Sequence, residues 1–466
     1  MPSKNRPDIV LVSMDATRAD HLSSYGHVRP TTPNLDGLAE NSVLYERSIS
    51  PACWTLPSHA SMFTGLYPSQ HGTHFGNQVL SARFQTLAEK LRNEGYQTAG
   101  FCCNAWLDPV FGFNRGFETY RLRSPLADRM ARLGRAGRLG AKVIEKTYSS
   151  RNGRASKSTL AWVRAWLSGV RRKDRPFFLF VLLSDPHLPH FVHREARRFL
   201  GAQAKAAERL HRDPHRFIVQ GKGMTEAEQD LVQRRYDSQI ACMDQRIGEL
   251  LALLGRETSL DDALVMITSD HGENLGDHGL MAHQYCLYDT LLHVPLIIHF
   301  PDSRRLRNVR VDSLVQTHEL FTTVLDVVGA SRSDLPNDLR GRSLVPEEVS
   351  RNPLPFAVSE EPCPNLRRIR RLYPSYDCSR YDRRLRSLRT DTRKYIWASD
   401  GRHELYDLQK DPGENRNLID RDEELAGSMQ ARLNAWLSGI QQPHGGEIEP
   451  ECDEIILERL KQFGYL

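Results

Sequence analysis

The sequence lacks the features that direct a chain into a membrane. Its longest apolar run, Phe177 to Leu183, spans seven residues, whereas a membrane-spanning helix requires roughly 20. The N-terminal residues enter a strand-like apolar run almost at once, which leaves no room for a charged leader and a following apolar segment. We therefore expect a soluble, cytoplasmic protein without a transmembrane segment.

Cysteine pairs and an excess of one charge are also missing. The eight cysteines include no CxxC pair and no zinc-type spacing, so reduced thiols are expected rather than a disulfide framework. Lys and Arg total 63 against 58 Asp and Glu, and the net charge of +5 does not indicate nucleic-acid binding. The arginines concentrated between 367 and 389 leave two readings open, a solvated surface and a patch for an anion or a membrane surface.

What the sequence does contain is a regular alternation of apolar runs and helical patterns. This alternation is typical of an α/β domain with a mostly parallel central sheet. Runs such as FFLFVLL and ALVMIT are apolar throughout, as expected for strands covered by helices on both faces. The predicted strands are Ile9 to Ser13, Thr98 to Cys102, Phe177 to Leu183, Ala263 to Thr268 and Val294 to Phe300.

After Pro355 the sequence pattern changes to short predicted strands and Arg-rich segments. A hairpin closed at Asp400-Gly401 is expected there, and the apolar spacing of PECDEIILERLKQFGYL predicts a terminal helix. A chain of 466 residues suits a large domain with a smaller appendage. We predict a catalytic domain over 1–355 with helical insertions near 120–170 and 194–255, a C-terminal α+β subdomain with a short antiparallel sheet over 356–445, and a helix over 446–466 that docks on the main domain.

Polar side chains stand directly after two of the predicted strands. Asp15 follows the strand in IVLVSMD, and Asp270 and His271 follow the strand that leads into ITSDHGE. Ligands of open α/β sheets gather at the carboxyl ends of strands, and carboxylates with an imidazole can bind a divalent cation. An isolated Asp-His pair after a strand is more often a turn or a cap, but Asp15 makes a metal site the better interpretation.

Thr55 occupies the start of a helical stretch in ACWTLPSHASMF. The amide groups and the dipole at a helix N-terminus favour an oxyanion, so a metal-bound hydroxyl at this position can ionise. Taken alone, a threonine in this place is more often a simple N-cap.

Together these segments resemble the sulfatase family of the alkaline phosphatase superfamily. In its signature a cysteine, a variable residue, Pro, Ser and Arg lead into a helix; Pro57 and Ser58 match, whereas Thr55 and His59 differ. The resemblance spans nearly the whole chain and implies an alkaline-phosphatase-like fold. The other matching segments, in the family's order, are Asp15, DPHLPH at 185–190, SDHGENLGDHG at 269–279, His283, RTDTRKYI with ELYDLQKDPGENRNL, and the terminal LERLKQFGYL.

The resemblance also implies roles for individual residues. One divalent cation, Ca²⁺, Mg²⁺ or Mn²⁺ with Zn²⁺ left open, is implied to bind Asp15, Thr55, Asp270 and His271. His187 and His283 are implied to flank the ester, where they contact its oxyanion or protonate the leaving oxygen. The further candidates are His59 as a catalytic residue and Asn77 as a substrate-binding residue.

Thr55 determines which chemistry is expected. In sulfatases the cysteine, or in some members a serine, is oxidised to formylglycine; threonine has no route to that aldehyde, so no formylglycine is expected. Threonine and serine nucleophiles serve the phosphoryl-transfer branches of the superfamily. The leading hypothesis is therefore hydrolysis or transfer of a phosphoester, above all a phosphodiester of a glycan or a lipid headgroup. The alternatives are a sulfuric ester hydrolase and a catalytically silent binder of an anionic ligand.

Overall fold

The fold is known from a computed structural model, in which part of the chain is described. The described ranges are 6–122, 153–188, 198–210, 215–221, 223–301, 306–331 and 339–440. None of the helices within these ranges combines the length and the apolar character needed to cross a bilayer. Residues 123–152 of the predicted insertion near 120–170 lie outside the described residues, as does the predicted terminal helix over 446–466.

Eight of the strands form the main sheet, in the order β10-β2-β9-β6-β1-β5-β3-β4. Of these eight, β9 runs antiparallel to its neighbours and the remaining pairs are parallel, which confirms the predicted mostly parallel sheet. In chain order the strands are β1 (Ile9–Met14), β2 (Val43–Ile49), β3 (Gln97–Phe101), β4 (Thr119–Arg121), β5 (Phe177–Leu183), β6 (Leu264–Thr268), β7 (Asn274–Leu275), β8 (Met281–Ala282), β9 (Leu296–His299), β10 (Val309–Gln316), β11 (Ala357–Glu361), β12 (Leu385–Arg389), β13 (Arg393–Ala398) and β14 (Glu404–Asp407).

The central strands are apolar throughout because both faces of the sheet are covered. Successive side chains of a strand point to opposite faces; in β1, Ile9 and Leu11 join one buried cluster while Val10 and Val12 join the other. All seven residues of β5 are buried. The polar residues of β1 and β6, Ser13 and Thr268, lie near the carboxyl ends of those strands, and β5 has none, so the chemistry is left to the strand ends.

Helices supply both covering layers. Leu56, Leu87 and Leu320 belong to the buried cluster on one face, whereas Val163 and Tyr236 belong to the cluster on the other. The described α-helices are α1 (Pro33–Ala39), α2 (Thr55–Thr64), α3 (Pro68–His71), α4 (Leu87–Asn93), α5 (Gly153–Gly169), α6 (Ala204–Leu210), α7 (His215–Gln220), α8 (Glu226–Glu257), α9 (Asp289–Leu292), α10 (Glu319–Val328), α11 (Pro346–Arg351), α12 (Arg367–Leu372) and α13 (Glu423–Ser438).

A second, four-stranded antiparallel sheet, in the order β11-β12-β13-β14, follows the main sheet. Its apolar side chains Leu388 and Leu405 pack in one cluster with Leu433 of α13. Between β13 and β14 the turn contains Gly401 at φ +80°, a conformation that glycine adopts without strain. The predicted hairpin and short antiparallel sheet are confirmed, while the domain boundary near residue 355 stays a prediction.

Two expectations from composition can be compared with this fold. The seven cysteines that lie within the described ranges are free, as expected. Part of the Arg-rich stretch forms ion pairs and is not a plain solvated face. The pairs are Arg383 with Glu404, Arg386 with Glu360 and Arg389 with Asp289.

Candidate metal centre and active site

Three chain segments meet at the carboxyl edge of the main sheet. Asp15 comes directly after β1, Asp270 and His271 come after β6, and β1 and β6 are parallel neighbours. The third segment is the start of α2, which begins at Thr55. All four side chains are buried to within 1% of full burial, so the predicted group does assemble in the interior.

The distances within this group suit a bound cation. His271 Nε2 lies 3.7 Å from Asp15 Oδ1, 3.5 Å from Asp270 Oδ2 and 3.4 Å from Thr55 Oγ1. The two carboxylates and the imidazole offer ligand atoms that all lie within 4.8 Å of one another. Asp15 Oδ1 and Asp270 Oδ2 are buried without a hydrogen-bond partner among the described residues. Buried carboxylate oxygens of this kind are costly unless they are protonated or coordinate a cation, and the donor set fits one divalent ion.

The free atoms of the cluster are aimed by hydrogen bonds behind them. Asp270 Oδ1 accepts from the backbone amides of Ala16 at 3.2 Å and His271 at 3.0 Å, which leaves Oδ2 facing the centre. The Nδ1 of His271 is 2.7 Å from the carbonyl oxygen of Gly272, which leaves Nε2 facing the centre. A Cβ on Gly272 would approach the carbonyl oxygen of Thr290 to 2.0 Å, so this position requires glycine.

Burial and mutual charge shape the protonation of the cluster. Burial, together with the nearby charge of Asp270, raises the pKa of Asp15 well above its usual range. Although burial opposes it, His271 and His59 lower the pKa of Asp270. Burial lowers the pKa of His271 to about 4. A neutral imidazole with a free lone pair, the form that binds metals, therefore prevails near pH 7.

Asn104 joins this cluster, although no sequence motif pointed to it. Its Nδ2 donates to Asp15 Oδ2 at 2.7 Å and lies 3.3 Å from Thr55 Oγ1. The Oδ1 of Asn104 accepts from the amide of Trp106 at 3.0 Å, which holds the side chain in this orientation. The only available signal was its place shortly after the predicted strand Thr98 to Cys102. The sequence has no second polar group beside Asp15, and Asn104 supplies an amide there from the loop that follows β3.

The backbone beside the centre is strained at Ala16. Ala16, directly after Asp15, has φ +58°, a left-handed conformation that a residue with a Cβ rarely adopts. Strain of this kind persists only where the surroundings enforce it, and it clusters at functional sites. The carbonyl oxygen of Ala16 accepts from the hydroxyl of Tyr236 at 2.6 Å, which helps to hold this conformation.

His59 lies one turn behind Thr55 on α2. Its Nδ1 is 2.8 Å from the carbonyl oxygen of Thr55 and its Nε2 is 3.0 Å from Ser13 Oγ. The side chain is fully buried, and burial lowers the pKa of its imidazole. Both ring nitrogens thus contact protein atoms. This geometry is better suited to positioning Thr55 than to direct contact with the ester.

His187 and His283 stand together beside His271. The ring centroids of His283 and His271 are 4.4 Å apart and those of His187 and His283 are 5.2 Å apart. His283 Nδ1 lies 3.0 Å from Oε1 of the buried Glu273. Burial raises the pKa of Glu273 to about 7 and lowers the pKa of His283 to about 3. His283 and His187 are half-buried, unlike the cluster, as expected for groups that meet a substrate.

Asn77 is placed in a turn after α3. Its side-chain amide donates to the carbonyl oxygen of Gly72 at 2.9 Å, and its backbone pairs with His74. These contacts lie within its own turn and do not join it to the cluster around Asp15. Its predicted contact with substrate stays a prediction.

The chain combines a covered, mostly parallel sheet with this cluster at its carboxyl edge, and its matches to known proteins identify it as an ester hydrolase of the alkaline phosphatase superfamily. A family model described as "Sulfatase" matches residues 7–330, well over half of the chain, and one described as "N-sulphoglucosamine sulphohydrolase, C-terminal" matches residues 276–442. The chain therefore belongs to the sulfatase family, whose members generally bind a divalent metal ion.

Relatives across the family resemble the chain over most of its length. It is 25% identical to the "Ulvan-active sulfatase" of Formosa agariphila, covering 93% of this chain and 82% of that protein. It is 26% identical to the "Choline-sulfatase" of Rhizobium meliloti, covering 89% and 83%. Among solved structures, a phosphonate monoester hydrolase of Agrobacterium radiobacter superposes with a TM-score of 0.72 at 24% identity, covering 93% of this chain and 95% of the other. One fold therefore serves both sulfur and phosphorus chemistry.

Proposed function

We propose that this protein hydrolyses anionic phosphoesters, above all phosphodiesters, or transfers their phosphoryl group, through a covalent intermediate on Thr55. The observation that carries the proposal is the position of the Thr55 hydroxyl. It is buried at the start of α2, 3.4 Å from His271 Nε2 and within reach of Asn104. A hydroxyl beside a cation-binding cluster is the arrangement of an activated nucleophile.

In this proposal the cluster binds one divalent cation through Asp15, Asp270, His271 and the Thr55 hydroxyl. The oxygen-rich donor set favours Ca²⁺, Mg²⁺ or Mn²⁺ and leaves Zn²⁺ to metal analysis. When bound, the cation supplies Lewis acidity that lowers the pKa of a nearby hydroxyl and offsets charge on the ester. The chain itself adds the N-terminus of α2, where the helix dipole favours negative charge on the Thr55 oxygen.

Thr55 favours a phosphorus ester over a sulfur ester because its side chain cannot be converted to the aldehyde of formylglycine. The formylglycine hydrate of a sulfatase expels sulfate by collapsing to an aldehyde, and a threonine side chain carries a methyl group that prevents this. A phosphorylated threonine needs no such collapse, because water can attack the phosphorus directly. Cys53 is no substitute nucleophile: it is fully buried, with its thiol 3.1 Å from Glu361 Oε2.

The reaction we propose has two displacements. Thr55 Oγ, having released its proton to solvent, forms a bond to phosphorus as the bond to the leaving oxygen breaks, and a histidine donates a proton to that oxygen. Water then attacks the phosphorus, the same histidine accepts one of its protons, and the bond to Thr55 Oγ breaks. His187 and His283, whose rings lie 5.2 Å apart, are the two candidates for this histidine. An acceptor alcohol in place of water makes the same site a transferase.

The alcohol part of the ester is proposed to be a glycan or a lipid headgroup. Two relatives support this choice by their names. One is an ulvan-active sulfatase, named for a polysaccharide, and the other is a choline-sulfatase, named for a headgroup alcohol. A single cation and neutral or cationic neighbours match a monoanionic ester better than a dianionic one, which favours a diester.

The experiment combines kinetics with mass spectrometry on metal-loaded protein. Aryl phosphodiesters, phosphomonoesters, phosphonates and sulfates are assayed with the wild type, Thr55→Ala and Thr55→Ser. We expect phosphodiester turnover, a loss of about 10³-fold or more for Thr55→Ala, and substantial activity for Thr55→Ser, which keeps the hydroxyl. The matched control is Thr64→Ala at the other end of α2, which should keep activity. Acid-quenched protein should show a phosphoryl adduct on the peptide that contains Thr55.

Two other results would replace this proposal. Faster turnover of aryl sulfates than of every phosphorus ester would make the protein a sulfuric ester hydrolase. No turnover of any ester with any metal, combined with anion binding that survives Asp270→Ala, would make it a silent binder. Full activity of Thr55→Ala would remove Thr55 as the nucleophile.

A further inference from the structure

The segment over residues 367–384, here called the arginine patch, carries the net charge of the protein. It contains seven arginines and two acidic residues, Asp377 and Asp382, and its net charge is +5. The whole chain also has a net charge of +5, so the acidic and basic residues outside the patch balance each other. Clusters of about four to eight basic residues beside a membrane are typical of surfaces that bind anionic lipids.

Several arginines of the patch are available to an outside partner. Arg383 pairs with Glu404, and Arg370 pairs with Asp382 where both side chains are more than half exposed, so solvent weakens the second pair. The other exposed arginines of the patch form no ion pair with any residue that the structure describes; they are Arg367, Arg371, Arg380 and Arg384. The patch therefore keeps most of its positive charge at the surface.

The helix α12 adds an exposed apolar side chain to these charges. Ile369 is fully buried in the cluster on one face of the main sheet, which fixes the helix to the body of the protein. Leu372, three positions later and therefore on the same side of the helix, is 45% exposed. The apolar side of α12 thus extends beyond the part that the protein covers. A soluble polyanion offers no apolar region to such a side chain, whereas the boundary between headgroups and acyl chains of a bilayer does.

The patch adjoins the candidate active site. The guanidinium of Arg367 lies over the ring of Phe75, 5.0 Å from its centroid. The ring of Phe75 is in turn 6.5 Å from that of Trp54, the residue directly before Thr55. Two aromatic rings therefore separate the patch from the start of α2, and a surface that docks on the patch lies beside the site.

We propose that the arginine patch docks this protein on a membrane surface that contains anionic phospholipids. The guanidinium groups of Arg371 and Arg380 contact lipid phosphates, for which arginine provides a planar set of donors. Leu372 enters the boundary between the headgroups and the acyl chains. The inference goes beyond the proposed function, because it does not depend on which ester the protein hydrolyses.

The test measures binding of the purified chain to vesicles by co-sedimentation, without any turnover. The vesicles consist of phosphatidylcholine alone or of phosphatidylcholine and phosphatidylglycerol in equal parts. We expect the wild type to bind the anionic vesicles at low NaCl and to be released at high NaCl, because salt screens these charges. Arg371→Glu/Arg380→Glu should weaken this binding by about 10-fold or more, and Leu372→Ser should weaken it several-fold.

The matched controls change the same charge and the same apolar exposure elsewhere. Arg164→Glu/Arg256→Glu alters two exposed arginines on α5 and α8, helices that cover the opposite face of the main sheet. Val170→Ser alters an apolar side chain that is 53% exposed and lies outside the patch. Both controls should bind anionic vesicles as the wild type does.

Three results would overturn the proposal. Equal binding of the wild type to both kinds of vesicle would show that anionic lipid is not recognised. Equal losses for Arg371→Glu/Arg380→Glu and Arg164→Glu/Arg256→Glu would show that net charge acts, not the patch. Binding to heparin, a soluble polyanion, without binding to either vesicle would make the partner of the patch an anionic polysaccharide.

Discussion

At the scale of single residues, the side chains of the centre are each held by the backbone through one atom, which directs a second atom into the cluster. Asp270 uses Oδ1 for two backbone amides and presents Oδ2. His271 uses Nδ1 for a backbone carbonyl and presents Nε2, and Asn104 uses Oδ1 for an amide and presents Nδ2. Groups held in this way are arranged before a ligand arrives, so little reorganisation accompanies binding.

Asn104 is the residue whose role can be tested most directly. Asn104→Ala removes the hydrogen bond to Asp15 Oδ2 and the contact with Thr55 Oγ1. We expect metal affinity or kcat to fall by about 10- to 100-fold, as for other supporting residues of metal sites. Calorimetric metal titration and steady-state kinetics give the two quantities. Asn93→Ala, an exposed asparagine at the end of α4, should leave both unchanged; wild-type values for Asn104→Ala would contradict the role.

At the scale of elements, the small sheet is attached to the edge that carries the site. The backbone of Glu360 in β11 donates to the carbonyl of Pro51 at 2.9 Å, and Ser359 Oγ donates to the carbonyl of Ser50 at 2.6 Å. These contacts hold the loop that leads into α2 and therefore into Thr55. The small sheet thus supports the segment that carries the proposed nucleophile.

Lys394 of β13 makes a second attachment between these elements. Its ammonium is fully buried and lies 2.8 Å from Asp289 of α9 and 2.8 Å from Glu414. Lys394→Ala leaves the buried Glu414 and the half-buried Asp289 without this cation, so we expect the free energy of unfolding to fall by about 3–5 kcal/mol, measured by urea denaturation. Lys410→Ala, at an exposed position, should change it by less than about 0.5 kcal/mol. A similarly small change for Lys394→Ala would show that the ion pairs add little.

At the scale of the whole molecule, buried acids make stability depend on pH. Glu361 at the end of β11 accepts from the thiol of Cys53 at 3.1 Å and from the amide of Cys363 at 3.1 Å. Burial raises the pKa of Glu361 to about 8. Between its ordinary value near 4.5 and this raised value, the folded chain keeps a proton that the unfolded chain has lost. The stabilisation is therefore present at low pH and is lost as the pH rises through about 8.

The prediction is a difference in the pH dependence of stability. Glu361→Gln retains a hydrogen-bond acceptor but cannot ionise, so it should lose less stability than the wild type between pH 5 and pH 8. Each such group contributes a slope of about 1.4 kcal/mol per pH unit. Urea denaturation at several pH values measures the slope, with the exposed Glu423→Gln as the matched control. Equal slopes for Glu361→Gln and the wild type would contradict the assignment.

The sequence by itself determined the sheet and indicated the residues proposed to bind the metal ion. Strands that are buried on both faces must be apolar throughout, so runs such as Phe177–Leu183 were visible without coordinates. The carboxyl ends of parallel strands share one edge, so Asp15 and Asp270 were expected at the same edge of the sheet, and the adjacency of β1 and β6 in the structure makes them neighbours. Thr55 was visible because the family's signature surrounds it.

Only the tertiary structure decided what surrounds those ligands. Asn104 reaches Asp15 across 89 residues and Thr55 across 49, while Cys53 reaches Glu361 across 308. Such contacts leave no periodic pattern in the sequence, since they depend on how loops between the strands are packed. The partner of His283 likewise followed from the register of a two-residue hairpin that no apolar run announces. A buried strand can be recognised from its local pattern of apolar residues. The orientation of a polar side chain depends instead on residues that are distant in the sequence.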